Sequence, residues 1–144
     1  MAIVLFDPAW IITRLKTEVT ELKRVAGSAD LAQAADDLKQ IPAAFVIAAS
    51  EKAGSSTTGT LVVSQYNTVR FTVAIAAQNL RDTRGEQAQT VILPLRQAIM
   101  TALHGWQPDA EFDPIEFSGG NLIGLNNQVL WWQDSFTAAH LIRS

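Results

Sequence analysis

His104 and His140 are the 2 histidines of the sequence, and with 0 cysteines they are where a nucleophilic dyad or a metal ligand would have to begin. His104 has no carboxylate or second histidine one helical turn away, because Met100 and Pro108 occupy the four-residue steps. Its plain reading is a helix-end residue at the negative pole of the dipole. His140 follows Asp134 and Ser135 closely enough to suggest a triad. Ser135, however, stands between Asp134 and Phe136 in an extended run, without the sharp strand-to-helix turn that exposes a nucleophile. A cross-strand polar cluster is the better reading. Asp36-Asp37 and the trio Asp109, Glu111 and Asp113 are the carboxylate groups close in sequence. Such groups do acid–base work only where their surroundings drive their pKa values apart, and neither has a neighbour that would do so. The first reads as a solvated helix face and the second as a loop tip, with a weak cation site as the alternative. Gly119-Gly120 lacks the Lys-Ser/Thr of a phosphate loop and opens no helix. Trp131-Trp132 offers two stacking surfaces, but neighbours on a strand point to opposite faces, so one belongs to the core and the other to an edge or interface. Nothing in these groups assembles a catalytic, metal or cofactor site, and the expectation is a protein that is not an enzyme and carries no cofactor.

Charge and length narrow the classes further. The 144 residues fit one domain, 1–144, large enough to bury roughly 68–70% of its unfolded surface without staples. A net charge of -3 and 11 Lys and Arg scattered along the chain leave no basic stripe for nucleic acid. A mildly acidic surface lets DNA slide past without sticking. The N-terminal apolar run is short and has no basic flank, and residues 42–49 are far too few to cross a bilayer. Apolar residues make up 48% and charged residues only 17%, so some apolar surface is expected to be reserved for partners.

The elements follow from periodicity and punctuation. Asp7 and Pro8 suit the cap and first position of a helix, and Phe6 and Ile11 suit a staple. Ile11, Leu15, Val19, Leu22 and Ala26 make one stripe, Lys23 and Arg24 suit the C-terminal dipole, and Gly27 suits the stop. The spacing thus predicts a helix over residues 8–26. A second, short helix is expected within 28–40 and a buried strand over 43–49. The Gly/Ser/Thr-rich stretch 51–60 reads as a mobile loop. Residues 60–65 and 69–77 read as a hairpin, the second strand alternating with period two. Thr83 and Glu86 have capping-box spacing for a second long helix, with Ala88, Ile92, Leu95, Ile99 and Ala102 as its stripe, Pro94 inside and Gly105 at its end. Residues 115–125 and 128–142 form the last hairpin, turned at Asn126-Asn127, with a bulge or close approach at Gly119-Gly120. The sum is an α+β fold: a mainly antiparallel sheet of about five strands with two long helices on one face.

The last third is the distinctive part. Gly105-Trp106-Gln107-Pro108 is followed by Ile115-Glu116-Phe117-Ser118-Gly119-Gly120-Asn121-Leu122 and then by Val129-Leu130-Trp131-Trp132-Gln133-Asp134-Ser135-Phe136. This succession resembles the tail terminator proteins of long-tailed bacteriophages. Ile41-Pro42-Ala43-Ala44-Phe45-Val46, the Gly/Ser/Thr loop, Ala76-Ala77-Gln78-Asn79 and Asp82-Thr83-Arg84-Gly85 agree, so the likeness runs from about Pro8 to the end.

The resemblance implies a virion protein, assembled in the host bacterial cytoplasm. It implies a homohexameric ring at the head-proximal end of the tail tube, which stops addition of tube subunits and presents the surface for the neck or head–tail connector. DNA would pass through the channel without specific binding, and no membrane is involved. The site is then an interface, heterologous as rings require. Expected contacts are Trp131 and Trp132 on their strand, the edge around Phe117 and Leu122, the polar group Arg81, Asp82 and Arg84, and the loop residues Ser55, Ser56, Thr57 and Thr58. Two other readings stand beside this one: another head–tail joining or tail completion protein of similar fold, and a small-molecule-binding domain or enzyme built on the hairpin tryptophans and His140.

Overall fold

The computed structural model describes residues 2–31, 40–78, 86–126 and 128–144, with the backbone alone for 86–91 and 126. Helix α1 (Pro8–Glu18) starts as its sequence dictates: the Asp7 carboxylate accepts from the Ala9 N–H at 2.9 Å and Pro8 opens the first turn. Ile11, Leu15 and Val19 are buried along one stripe.

The helix ends eight residues earlier than the stripe predicts. Val19 leaves helical geometry with φ -114° and ψ 80°, and Arg24–Gly27 form strand β1. The reason is a partner that lies far away in sequence. β1 runs parallel to Ala43–Val46 in register, and the Lys23 N–H donates to the Pro42 carbonyl at 2.8 Å. Lys23 and Arg24 therefore do not complement a helix dipole, and Gly27 is a strand residue lying over Ile12 rather than a helix stop. Of the expected second helix, 28–31 are helical; the rest of it, with Asp36 and Asp37, lies outside the described residues.

Strand β2 (Ala43–Ala53) pairs antiparallel with β3 (Ser64–Gln78), with a bulge between Ala48 and Ser50. This corrects two readings. Residues 60–65 are not a separate strand hairpinned to 69–77; the hairpin partner of β3 is β2. The Gly/Ser/Thr loop is also displaced, because Glu51, Lys52 and Ala53 belong to the ladder and the connection is 54–63.

Helix α2 (Glu86–Leu103) runs on through Pro94, buries Ile92, Leu95, Ile99 and Ala102, and ends at Gly105 with φ +79°, the left-handed stop. Its expected cap, Thr83, lies outside the described residues. Strand β4 (Glu116–Asn126) and strand β5 (Val129–Arg143) close the chain as an antiparallel hairpin. Within its turn the positive φ, 65°, falls on Gln128; Asn127 lies outside the described residues.

The five strands stand in the order β1-β2-β3-β5-β4. β3 and β5 are paired along their full length, from Ser64 against Arg143 to Gln78 against Val129. One face carries the main core: Phe71, Val73 and Ile75 of β3 and Leu130 and Phe136 of β5 meet the stripes of both long helices. The other face carries a smaller cluster, Ala43, Phe45, Ala74 and Ala76, with Leu31, Ile47 and Trp131 packed against it. The α+β architecture with a mainly antiparallel sheet and two long helices on one face is thus as the sequence predicts. β1 is its parallel member.

Candidate functional site

Asp134 and His140, picked out for chemistry, are separated along one strand. Asp134 is paired with Val73 and His140 with Asn67, so they stand six residues apart on β5, about 20 Å at strand rise. Asp134 is fully buried and holds Arg96 of α2, whose Nε donates to Oδ2 at 3.0 Å and whose Nη2 donates to Oδ1 at 2.9 Å. Trp132 Nε1 donates to the same Oδ1 at 2.9 Å, and the guanidinium lies 4.5 Å from the Trp132 ring centroid. The carboxylate accepts three hydrogen bonds, which suits a structural clamp.

His140 is buried in a cluster of its own. Its ring stacks on Phe112 at 4.1 Å, and the Asn67 amide donates to Nε2 at 2.9 Å and to Glu51 Oε1 at 3.1 Å. Burial pushes the His140 pKa below the usual imidazole value, against the Glu51 carboxylate and a backbone bond to Val4, which favour the cation. No serine hydroxyl completes a dyad there. His104 is exposed at the end of α2, its N–H donating to Met100 O. Asp109 accepts from the Glu111 N–H at 2.9 Å as part of a turn. Among the described residues no three acidic or histidine side chains converge as a metal site.

Gly119 and Gly120 answer both expectations at once. The register shifts between Phe117 and Gly119, and Gly119 takes φ +147°. A β-carbon on Gly120 would collide with Asp134 Oδ1 and press on Trp132 Nε1 and the Gln133 carbonyl. The bulge and the close approach are one feature: β4 passes over the Asp134 clamp where only a hydrogen fits.

Several apolar side chains remain exposed. β4 is an edge strand, and Phe117, Leu122, Ile123 and Leu125 on it are exposed. A bare apolar edge is a template for another chain. Trp132 faces the main core and Trp131 the second cluster, where its ring lies 5.9 Å from that of Phe45. A shallow groove on that second face is lined by Leu31, Ile47, Ala74, Ile123, Trp131 and Gln133.

The hairpin connection is shaped by hydroxyls. Thr57 N–H donates to Ser64 O, Ser64 N–H to Ser56 Oγ and the Thr58 hydroxyl to Val62 O. Ser56 and Thr58 thus hold the loop from within, while Leu61, Val62 and Val63 stand exposed at its tip, Leu61 completely. Sequence reasoning missed these three by reading them into a strand. The signal was present: three successive apolar residues behind a Gly/Ser/Thr run show no alternation. Arg81, Asp82 and Arg84 lie outside the described residues.

Comparison with curated proteins returns no match. A family model described as phage tail terminator protein matches residues 1–144, the whole chain. That family is a structural component of phage tails rather than an enzyme family, and its setting is the virion tail with other tail or neck proteins as neighbours. The chain belongs to the phage tail terminator protein family.

Proposed function

We propose that copies of this chain join head to tail into a homohexameric ring on the head-proximal end of the tail tube. The ring stops addition of tube subunits and presents the surface to which the neck or head–tail connector attaches. DNA passes through its channel without specific binding, as befits a net charge of -3 with no basic stripe. The chain turns over no substrate of its own and does its work by contact. The observation that carries this reading is the edge strand β4, unpaired on its outer side among the described residues, with its exposed Phe117, Leu122, Ile123 and Leu125. A monomer that kept such an edge in water would aggregate; a subunit that gives it to a neighbour would not. The other edge, β1, lies across the sheet, so the two edges are different patches, as a closed heterologous ring requires. Trp131, the loop residues Ser55 to Thr58, and Arg81, Asp82 and Arg84 are proposed as further contacts of the ring or its neighbours. Trp132, turned to the core, contributes by holding β4 in place.

The test is a phage that lacks this chain. Its tubes are expected to grow past their normal length and to remain without heads, and purified protein added to normal-length tubes is expected to restore joining. Immunolabelled virions should carry the chain at the head-proximal end. Normal-length, headed tails formed in its absence would refute the proposal.

A further inference from the structure

The exposed tip at 61–63 and the groove around Trp131 are apolar features of the same chain that cannot meet within it. The groove includes Ala74, ten residues beyond Ser64 along the continuous strand β3. That is about 33 Å of strand, while Leu61 is only three residues from Ser64, about 10 Å at full stretch. Leu61 is accordingly 101% exposed and touches no part of its own groove. We propose that the tip of one copy seats in the Trp131 groove of the next copy, with Leu61 as the inserted side chain.

Chemistry selects a second copy as the occupant. Residues 54–63 carry no charged side chain, and among the described residues the groove is lined by Leu31, Ile47, Ala74, Ile123, Trp131 and Gln133, also uncharged. Copies of a chain with net charge -3 repel one another at long range, and they approach at least electrostatic penalty where both surfaces are neutral. Insertion removes a wholly exposed leucine from water against an aromatic ring and an isoleucine, the anchor-in-pocket pattern of interface centres. The tip is presented in a defined shape, because the Thr58 hydroxyl donates to the Val62 carbonyl and Val63 is bonded to Ser144, so little freedom is lost on docking. The groove is also continuous with the apolar edge. Ile123 sits in the irregularity between Leu122 and Gly124 of β4, joining groove to edge strand. A knob and a hole in different places make a heterologous contact. This inference rests on the ring reading and specifies one of its contacts.

The absence of native cysteine makes the contact directly readable. Leu61→Cys and Ile123→Cys fall on exposed positions, and an unchanged thermal melt verifies that each variant folds. The protein is oxidised under conditions where sedimentation shows assembly, in free solution or on isolated tail tubes. The doubly substituted chain is expected to give a ladder of disulfide-linked oligomers on a non-reducing gel, while either single variant stops at dimers, since a disulfide needs α-carbons within about 7 Å. Leu61→Asp is expected to raise the concentration needed for assembly by about tenfold or more. A doubly substituted chain that assembles without a ladder overturns this contact and leaves the ring reading standing. So does Leu61→Asp that forms rings normally but no longer binds tubes, which would assign the tip to the tube protein. Unsubstituted protein that assembles neither alone nor on tubes overturns the ring reading, and this contact with it.

Discussion

The guanidinium of Arg96 on α2 grips the buried carboxylate of Asp134 on β5 through two hydrogen bonds, 3.0 and 2.9 Å long. Arg96 keeps 23% of its side-chain surface in contact with solvent and Asp134 keeps none, so the pair is half wet and half dry. One helix, the interior strand β5 and the crossing of β4 at Gly120 are thereby fixed to a single point. Removing only the acid leaves a partly buried cation facing Trp132 without its counter-charge. Asp134→Ala should therefore destabilise the fold by about 2–4 kcal/mol. Replacing both partners by apolar residues, Arg96→Met with Asp134→Leu, should recover most of that loss, since a buried pair is no stronger than good apolar packing. Urea unfolding of Arg96→Met alone, Asp134→Leu alone and the double variant gives the coupling directly.

Gly120 tests the same junction from the other strand. A methyl group there meets the Asp134 carboxylate, which cannot swing aside because Arg96 and Trp132 both hold it, and the Gln133 carbonyl at 3.2 Å is backbone. Gly120→Ala is expected to lose about 1–3 kcal/mol. Gly124→Ala on the same strand, where an added β-carbon meets nothing within 4 Å, should change stability by no more than about 0.5 kcal/mol. Equal effects in the two variants, compared by thermal melts, would mean that Gly120 is not pinned.

How much of this was legible in the sequence depended on the range of the interaction. The start of α1 was readable because Asp7, Pro8 and the stripe are neighbours in the chain. Its end was not, because Ala26 satisfies a helical stripe as well as it satisfies β1, and a register with residues 43–46 decides between them. The Gly119-Gly120 feature showed as two glycines in a strand, yet the carboxylate that demands them is fourteen residues further on. The opposed faces of Trp131 and Trp132 followed from strand geometry alone. The tip at 61–63 reads as strand because Val62 and Val63 are β-branched, although three apolar residues in a row lack strand alternation, and the pairing of β2 with β3 puts them beyond the ladder. The separation of His140 from Asp134 was available in the six-residue spacing.

His140 makes stability depend on pH, and its sign follows from its surroundings. Burial lowers its pKa in the folded chain below the value of 6.5 taken for the free side chain, so the unfolded chain binds the proton more tightly. Stability is then level above about pH 6.5 and falls as the pH drops from there towards the folded-state value. The fall for this one group is at most about 1.4 kcal/mol per pH unit. Asn67 supplies an N–H to Nε2, and a protonated ring would turn that bond into a clash of donors. His140→Gln should lower stability at neutral pH but flatten the profile between about pH 7 and pH 5. Urea midpoints across that range are the measurement, and an equally steep decline in the variant would assign the dependence to other groups.

Trp131 and Trp132 should separate assembly from folding. Trp132 packs on the main core, donates to Asp134 and lies under Arg96. Trp132→Ala is therefore expected to destabilise by about 2–4 kcal/mol, since this partly buried ring packs on the core and its N–H holds a buried carboxylate. Trp131 packs on four small or aromatic neighbours of the second face and lines the open groove, so its truncation removes fewer core contacts. Trp131→Ala should unfold cooperatively with a smaller loss, about 1–2 kcal/mol. At a temperature where both variants are folded by circular dichroism, Trp131→Ala should fail to form rings or to cap tubes, while Trp132→Ala should assemble once folded. The opposite pattern, with Trp131→Ala assembling normally, would remove the second face of the sheet from the contact surface. That result would leave the β4 edge as the surface on which ring formation depends.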